Sequence, residues 1–217
     1  MRLAWAMAVA AFATPVLAHP HVFVDAGVEV IFDAQGQAEA LRVSWTYDDL
    51  YSLLVIEERG LDTDFDGVLT ANEDAALAGF DMAWQAGFAG DTYVLLGDAA
   101  LGLSGPSEWT AVYAEGRITS THLRRFEAPV AVRDLPLVVQ VYDPSFYTAY
   151  AIALETKLTG AAPGCSYEAF EPDREAADAK LQAALEEYSG SEGVEGDFPA
   201  VGAAYSEEVR ITCNGGS

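Results

Sequence analysis

From Val22 to Phe32 every even position is apolar (Val22, Val24, Ala26, Val28, Val30, Phe32), while the odd positions include Asp25, Gly27 and Glu29. A helix needs its apolar stripe every three or four residues, so this period-two run dictates a strand with one buried face. Such a strand has to hide that face against a second layer. Asp33-Ala34-Gln35-Gly36 is turn chemistry, and Leu41, Val43 and Trp45 then alternate with Arg42, Ser44 and Thr46. The chain is therefore predicted to open with an antiparallel hairpin.

The pattern changes after Tyr47. Leu50, Leu53 and Leu54 before Glu57-Glu58 predict a short helix, and Leu77, Phe80, Trp84 and Phe88 after Asn72 predict a second one with a single apolar stripe. Strand character returns at Tyr93 to Leu96, Trp109 to Tyr113, Ile118 to Phe126, Leu137 to Tyr142 and Thr148 to Leu154. A last helix is expected from Asp173 to Tyr188, with Ala177, Leu181, Leu185 and Tyr188 on one side. Ser189 to Asp197 is Gly, Ser and Glu and is expected to be a mobile loop. Val209 to Cys213 reads as a closing strand. The expected fold is α+β: a mainly antiparallel β-sandwich-like core, a helix–loop–helix inserted at about 47–88, and a C-terminal helix.

Of the 217 residues, 34 are Asp or Glu and 11 are Lys or Arg, for a formal charge of -23. That balance excludes nucleic acid as a partner and disfavours anionic membrane surfaces, since phosphate neutralisation needs Lys and Arg. Met1-Arg2, the apolar run Leu3 to Ala13, and then Pro15 and Val16-Leu17-Ala18 read as a secretory signal cut after Ala18. The run falls short of the ~20 apolar residues of a spanning helix, so an uncleaved anchor is the weaker reading. The expected mature protein is one β-rich domain over 19–217, exported and not inserted in the membrane. In an oxidising compartment Cys165 and Cys213 are expected to form a disulfide rather than two unpaired thiols.

Between the two predicted helices lies Asp62-Thr63-Asp64-Phe65-Asp66-Gly67-Val68-Leu69-Thr70-Ala71-Asn72-Glu73. Acids at the first, third, fifth and last places, Gly at the sixth and an aliphatic residue at the eighth make the full EF-hand pattern. A hard cation wants oxygen donors in a tight ring. Asp62, Asp64 and Asp66 are expected to give one oxygen each, Val68 its carbonyl, Thr70 a water-mediated contact, and Glu73 two oxygens to calcium. Magnesium resists so many protein ligands. A lone loop lacks the partner that sensors use, so a structural clamp is expected rather than a switch.

Cleavage after Ala18 makes His19 the first residue, followed by Pro20 and His21. The free amine and two imidazoles form a three-nitrogen set suited to copper, nickel, cobalt or zinc. Pro20 has no amide hydrogen, which excludes the square-planar site built from successive backbone amides. His19, His21 and Asp25 share strand parity opposite the core stripe, so Asp25 is a candidate outer-shell partner or fourth ligand. His122 is the remaining histidine and a further candidate. The plain alternative is a solvated terminus.

The leader ending in Ala18, the run His19-Pro20-His21-Val22-Phe23-Val24-Asp25, the acidic loop, Val141-Tyr142-Asp143-Pro144-Ser145-Phe146-Tyr147 and Pro163-Gly164-Cys165-Ser166 follow in this order. Together they resemble the bacterial domain of unknown function one thousand and seven family, described as the periplasmic component of an uncharacterised ABC-type transport system. The resemblance implies an exported protein found beside, and sometimes fused to, membrane transporters of the nickel and cobalt type. The expected function is a periplasmic metal-binding accessory protein of such a transporter. Two others stay open: a copper oxidoreductase built on an N-terminal histidine brace, and a calcium-stabilised interaction module without transition metal. No nucleophile–base–acid set is readable, and no catalytic residue is assigned. Asp143-Pro144 reads as a turn after a core strand.

Overall fold

A computed structural model describes residues 20–162, 164–188 and 200–214. The opening hairpin forms as its alternation requires: β1 (Val22–Phe32) pairs antiparallel with β2 (Ala38–Tyr47), and Asp33 holds the turn by accepting from the amides of Gln35 and Gln37, each at 2.8 Å. The even residues of β1 are buried, and so are Leu41, Val43, Trp45 and Tyr47 of β2.

The helices α1 (Asp49–Glu58) and α2 (Ala71–Leu77) follow, and then β3 (Thr92–Leu96), β4 (Ala99–Leu101), β5 (Ser107–Ala114), β6 (Arg117–Val130) and β7 (Leu137–Val141). The short strands β8 (Thr148–Ala151), β9 (Lys157–Gly160) and β10 (Cys165–Phe170) precede α3 (Arg174–Tyr188) and β11 (Glu208–Cys213). One sheet runs β5-β6-β2-β1-β8, with β9 also on β1, and the other runs β10-β11-β7-β3-β4. Val24, Val43 and Ile118 of the first meet Val94, Val139 and Ile211 of the second in one buried cluster. The fold is α+β and rich in antiparallel pairing, with β8 and β9 parallel to β1 as the exception.

Between β8 and β9 the chain crosses the outer side of β1 at Gly27. There the Leu154 amide donates to the Ala26 carbonyl at 3.1 Å, and a Cβ on Gly27 would come within 2.9 Å of Leu154. Cys165 and Cys213 face each other in the β10–β11 ladder and are joined by a disulfide. Asp143 makes the turn after β7, accepting from the Ser145 amide at 2.8 Å and the Thr148 amide at 3.0 Å.

Two expectations need correction. The second inserted helix ends at Leu77, because Gly79 takes a left-handed backbone (φ 74°) and the chain breaks into turns. Phe80 and Trp84 are apolar because they fold back over the first sheet, Phe80 against Tyr47 at 5.4 Å and Trp84 against Trp45 at 6.4 Å between ring centres. Phe88 follows edge-on to Trp84. Strand β8 stops at Ala151, short of the expected Leu154. In α3, Ala177 and Leu181 are buried and Leu185 half-buried. The Tyr188 side chain and the expected loop at 189–197 lie outside the described residues.

Candidate metal centres

Asp48 caps α1 by accepting from the Tyr51 amide at 2.9 Å. Its other oxygen accepts from the Phe23 amide at 2.8 Å, and its own amide donates to the Phe23 carbonyl, so α1 is fastened to β1. Beyond α1 the acidic loop turns through left-handed residues at Asp62, Phe65 and Gly67. Asp62 Oδ1 accepts from the amides of Asp66 at 3.1 Å and Gly67 at 3.2 Å, and Asp66 Oδ1 from that of Val68 at 2.8 Å. These bonds bend the loop inward. One oxygen from each of Asp62, Asp64 and Asp66 lies within 4.8 Å of the others.

Thr70 starts α2 in a reciprocal capping box with Glu73. The Thr70 amide, followed by its hydroxyl, holds the Glu73 carboxyl below its ordinary range. Glu73 Oε1 accepts from the Asp62 amide at 3.0 Å, so the last acid of the loop reaches back to the first. Leu69 is buried in the core, whereas the Val68 side chain is exposed, leaving its carbonyl as the useful group. Only oxygen donors converge here, which is the chemistry of a hard divalent cation.

The other predicted residues are not gathered in the same way. His19 and the cleavage point after Ala18 lie outside the described residues. His21 is exposed at the start of β1; its amide donates to the Tyr147 carbonyl at 2.8 Å and its ring lies 4.8 Å from that of Tyr147. Asp25 shares that outer face, as parity requires, but forms an ion pair with Arg117 at 2.9 Å. His122 is on the opposite, interior face of the sheet, fully buried, with its ring 4.7 Å from Trp45 and 5.3 Å from Trp84. The sheet itself separates it from His21. Burial, helped by the neighbouring Arg124, lowers its pKa to about 3, so the imidazole is neutral.

Sequence reasoning missed two buried acids, Asp81 and Asp91. Asp81 accepts from the Tyr47 hydroxyl at 2.8 Å and from the Ser120 hydroxyl at 2.5 Å, and burial raises its pKa. Asp91 accepts from the Tyr150 hydroxyl at 2.9 Å, and burial, with Asp143 adding, raises it to about 7. Trp45 Nε1, Asp81 Oδ1 and both His122 ring nitrogens are buried with no hydrogen-bond partner among the described residues. Asp81 and Asp91 sit in irregular chain between α2 and β3, where no periodicity marks a buried side.

Fold and site together define a two-sheet α+β protein with an acidic, helix-flanked loop. The chain matches the family described as "Protein of unknown function (DUF1007)" over residues 4–213 and belongs to that family. A comparison with curated proteins gives no match.

Proposed function

We propose that this is an exported, periplasmic accessory protein of a transition-metal transport system. It holds calcium in the Asp62–Glu73 loop as a structural clamp and carries copper, nickel, cobalt or zinc at its mature N-terminus. The observation that carries the reading is the convergence of Asp62, Asp64 and Asp66 within 4.8 Å, in an all-oxygen loop closed by Glu73 between two helices. Val68 adds its carbonyl and Thr70 a water-mediated contact.

The second site uses the His19 amine and imidazole with the imidazole of His21, which begins the outer face of β1. With Asp25 Oδ2 ion-paired to Arg117 and His122 on the interior face, the reading rests on those two histidines. The membrane partner in this reading is a nickel/cobalt-type transporter, as the family resemblance implies. No catalytic step is assigned.

Native mass spectrometry of protein beginning at His19 tests both sites. The protein is titrated with copper, nickel, cobalt and zinc at fixed calcium, beside a version with one extra residue before His19. One equivalent of a transition metal, lost in the extended version, supports the terminal site. Calcium alone in both versions overturns it and leaves a calcium-clamped interaction module, the reading that the Asp25–Arg117 pair favours.

A further inference from the structure

Helix α1 is apolar on both sides. Ser52, Val55 and Ile56 face the core, while Leu50, Leu53 and Leu54 are 65%, 54% and 46% exposed on the other side. Spacings of three and four make those leucines one continuous stripe. Phe65, at the tip of the acidic loop, is 90% exposed. Leu53 and Phe65 are the outer walls of a groove of about 370 Å³ whose floor is Ile56 and Leu61 and whose rim includes Glu57 and Asp62. A continuous exposed apolar surface of this kind marks an interaction site rather than ordinary surface scatter.

The charge around the groove specifies what fits it. From Asp48 to Asp74 the chain has nine Asp or Glu and one basic residue, Arg59. Four of the acids belong to the Asp62–Glu73 loop, Asp48 caps α1 and Asp49 pairs with Arg117 at 3.7 Å, which leaves Glu57, Glu58 and Asp74 exposed as the acidic margin. Arg59 is committed elsewhere: its guanidinium donates to the carbonyls of Ala76 at 3.2 Å and Phe80 at 3.4 Å. The stripe is thus apolar along its middle and acidic along its margins. We propose that the α1–Phe65 groove docks a basic amphipathic helical segment of a partner protein, its apolar side on Leu50, Leu53 and Phe65 and its Lys or Arg residues over the flanking carboxylates. The assignment rests on the accessory role proposed above only for the partner being a membrane transporter. It makes no use of the terminal metal.

The test is fluorescence anisotropy with the mature chain, in saturating calcium and without transition metal, so that its failure leaves the metal titration untouched. The probe is a labelled 16-residue helical peptide with Leu at i, i+3, i+4 and i+7 and Lys elsewhere, beside a counterpart with Glu for Lys. The Lys peptide is expected to bind and the Glu peptide to bind at least tenfold more weakly. The double variant Leu53→Ser/Phe65→Ser, which keeps every charge, is expected to lose at least tenfold in affinity, and Val112→Ser, at an exposed apolar residue of β5 that does not line the groove, none. Equal affinity of the wild type and the double variant would mean attraction by bulk charge alone and would overturn the proposal. Leu53- and Phe65-dependent binding to phosphatidylcholine vesicles would overturn it as well, by making the surface lipid-facing.

Discussion

His122 and Asp91 act on stability in opposite directions. Burial takes His122 from 6.5 to about 3, so between those values the unfolded chain binds a proton that the folded chain refuses, and stability falls as pH falls. Asp91 is raised from 3.8 to about 7, so the folded chain keeps a proton that the unfolded chain has lost. Its contribution is complete below 3.8 and disappears as pH rises through about 7. Asp81, also raised by burial, adds to the acid side. In the shared window each group has a slope of at most about 1.4 kcal/mol per pH unit, with opposite signs. With Asp81 and Asp91 together against His122, the wild type is expected to lose stability as pH rises there. Relative to wild type, Asp91→Asn should turn the slope toward rising with pH, and His122→Phe should make the fall steeper; urea unfolding at half-unit pH steps reads both, and three parallel profiles would refute the assignment. The acidic loop gives a second test. Asp64 is exposed and accepts no hydrogen bond among the described residues, whereas Asp62 holds the loop bend. Asp64→Asn is expected to leave calcium-free stability within about 0.5 kcal/mol of wild type. In calorimetric titration it should weaken calcium at least tenfold; unchanged affinity would remove Asp64 from the ligand set.

Among the elements, β10 depends most on a single covalent link. It is a six-residue strand whose only ladder among the described residues is to β11, and the disulfide closes a sequence separation of 48 residues. Replacing both cysteines by serine is expected to lower stability by up to about 4 kcal/mol on the chain-entropy model, measured by urea unfolding against wild type. No change would mean that the ladder alone holds β10. The opening hairpin was readable in the sequence because one of its faces is buried along its whole length, so alternation reports burial directly. Strands β4 and β9 were not, being three and four residues long and carrying no full alternation, and β10 is exposed or half-exposed throughout. The apparent long helix after Asn72 came from Phe80, Trp84 and Phe88, which recur every four residues but reach the sheet from turns. The acidic loop was legible because its order of acids is local in the chain. The place of His122 was hidden because the interior side of β6 carries Ser120, His122 and Arg124 between Ile118 and Phe126. Polar residues on a buried face erase the hydropathy signal that would have marked it.

Over the whole molecule, a formal charge of -23 sets a background of self-repulsion. Stability is expected to rise as sodium chloride goes from about 10 to 150 mM, levelling off where the screening length nears 8 Å. A thermal midpoint independent of salt would mean that the carboxylates are already compensated by bound cations. The arrangement of the first sheet has a consequence for the order in which the molecule is assembled. Strands β1 and β2 meet within the first 47 residues, yet among the described residues the other edge of β1 is filled by β8 and β9, from residues 148–160. Until that late segment arrives, a long and strongly β-forming edge presents bare amides and carbonyls, the template on which a second nascent copy would add. Closing it draws together segments more than a hundred residues apart, a search that slows folding. Two four-residue strands thus decide whether a newly made chain completes itself or pairs with its neighbour.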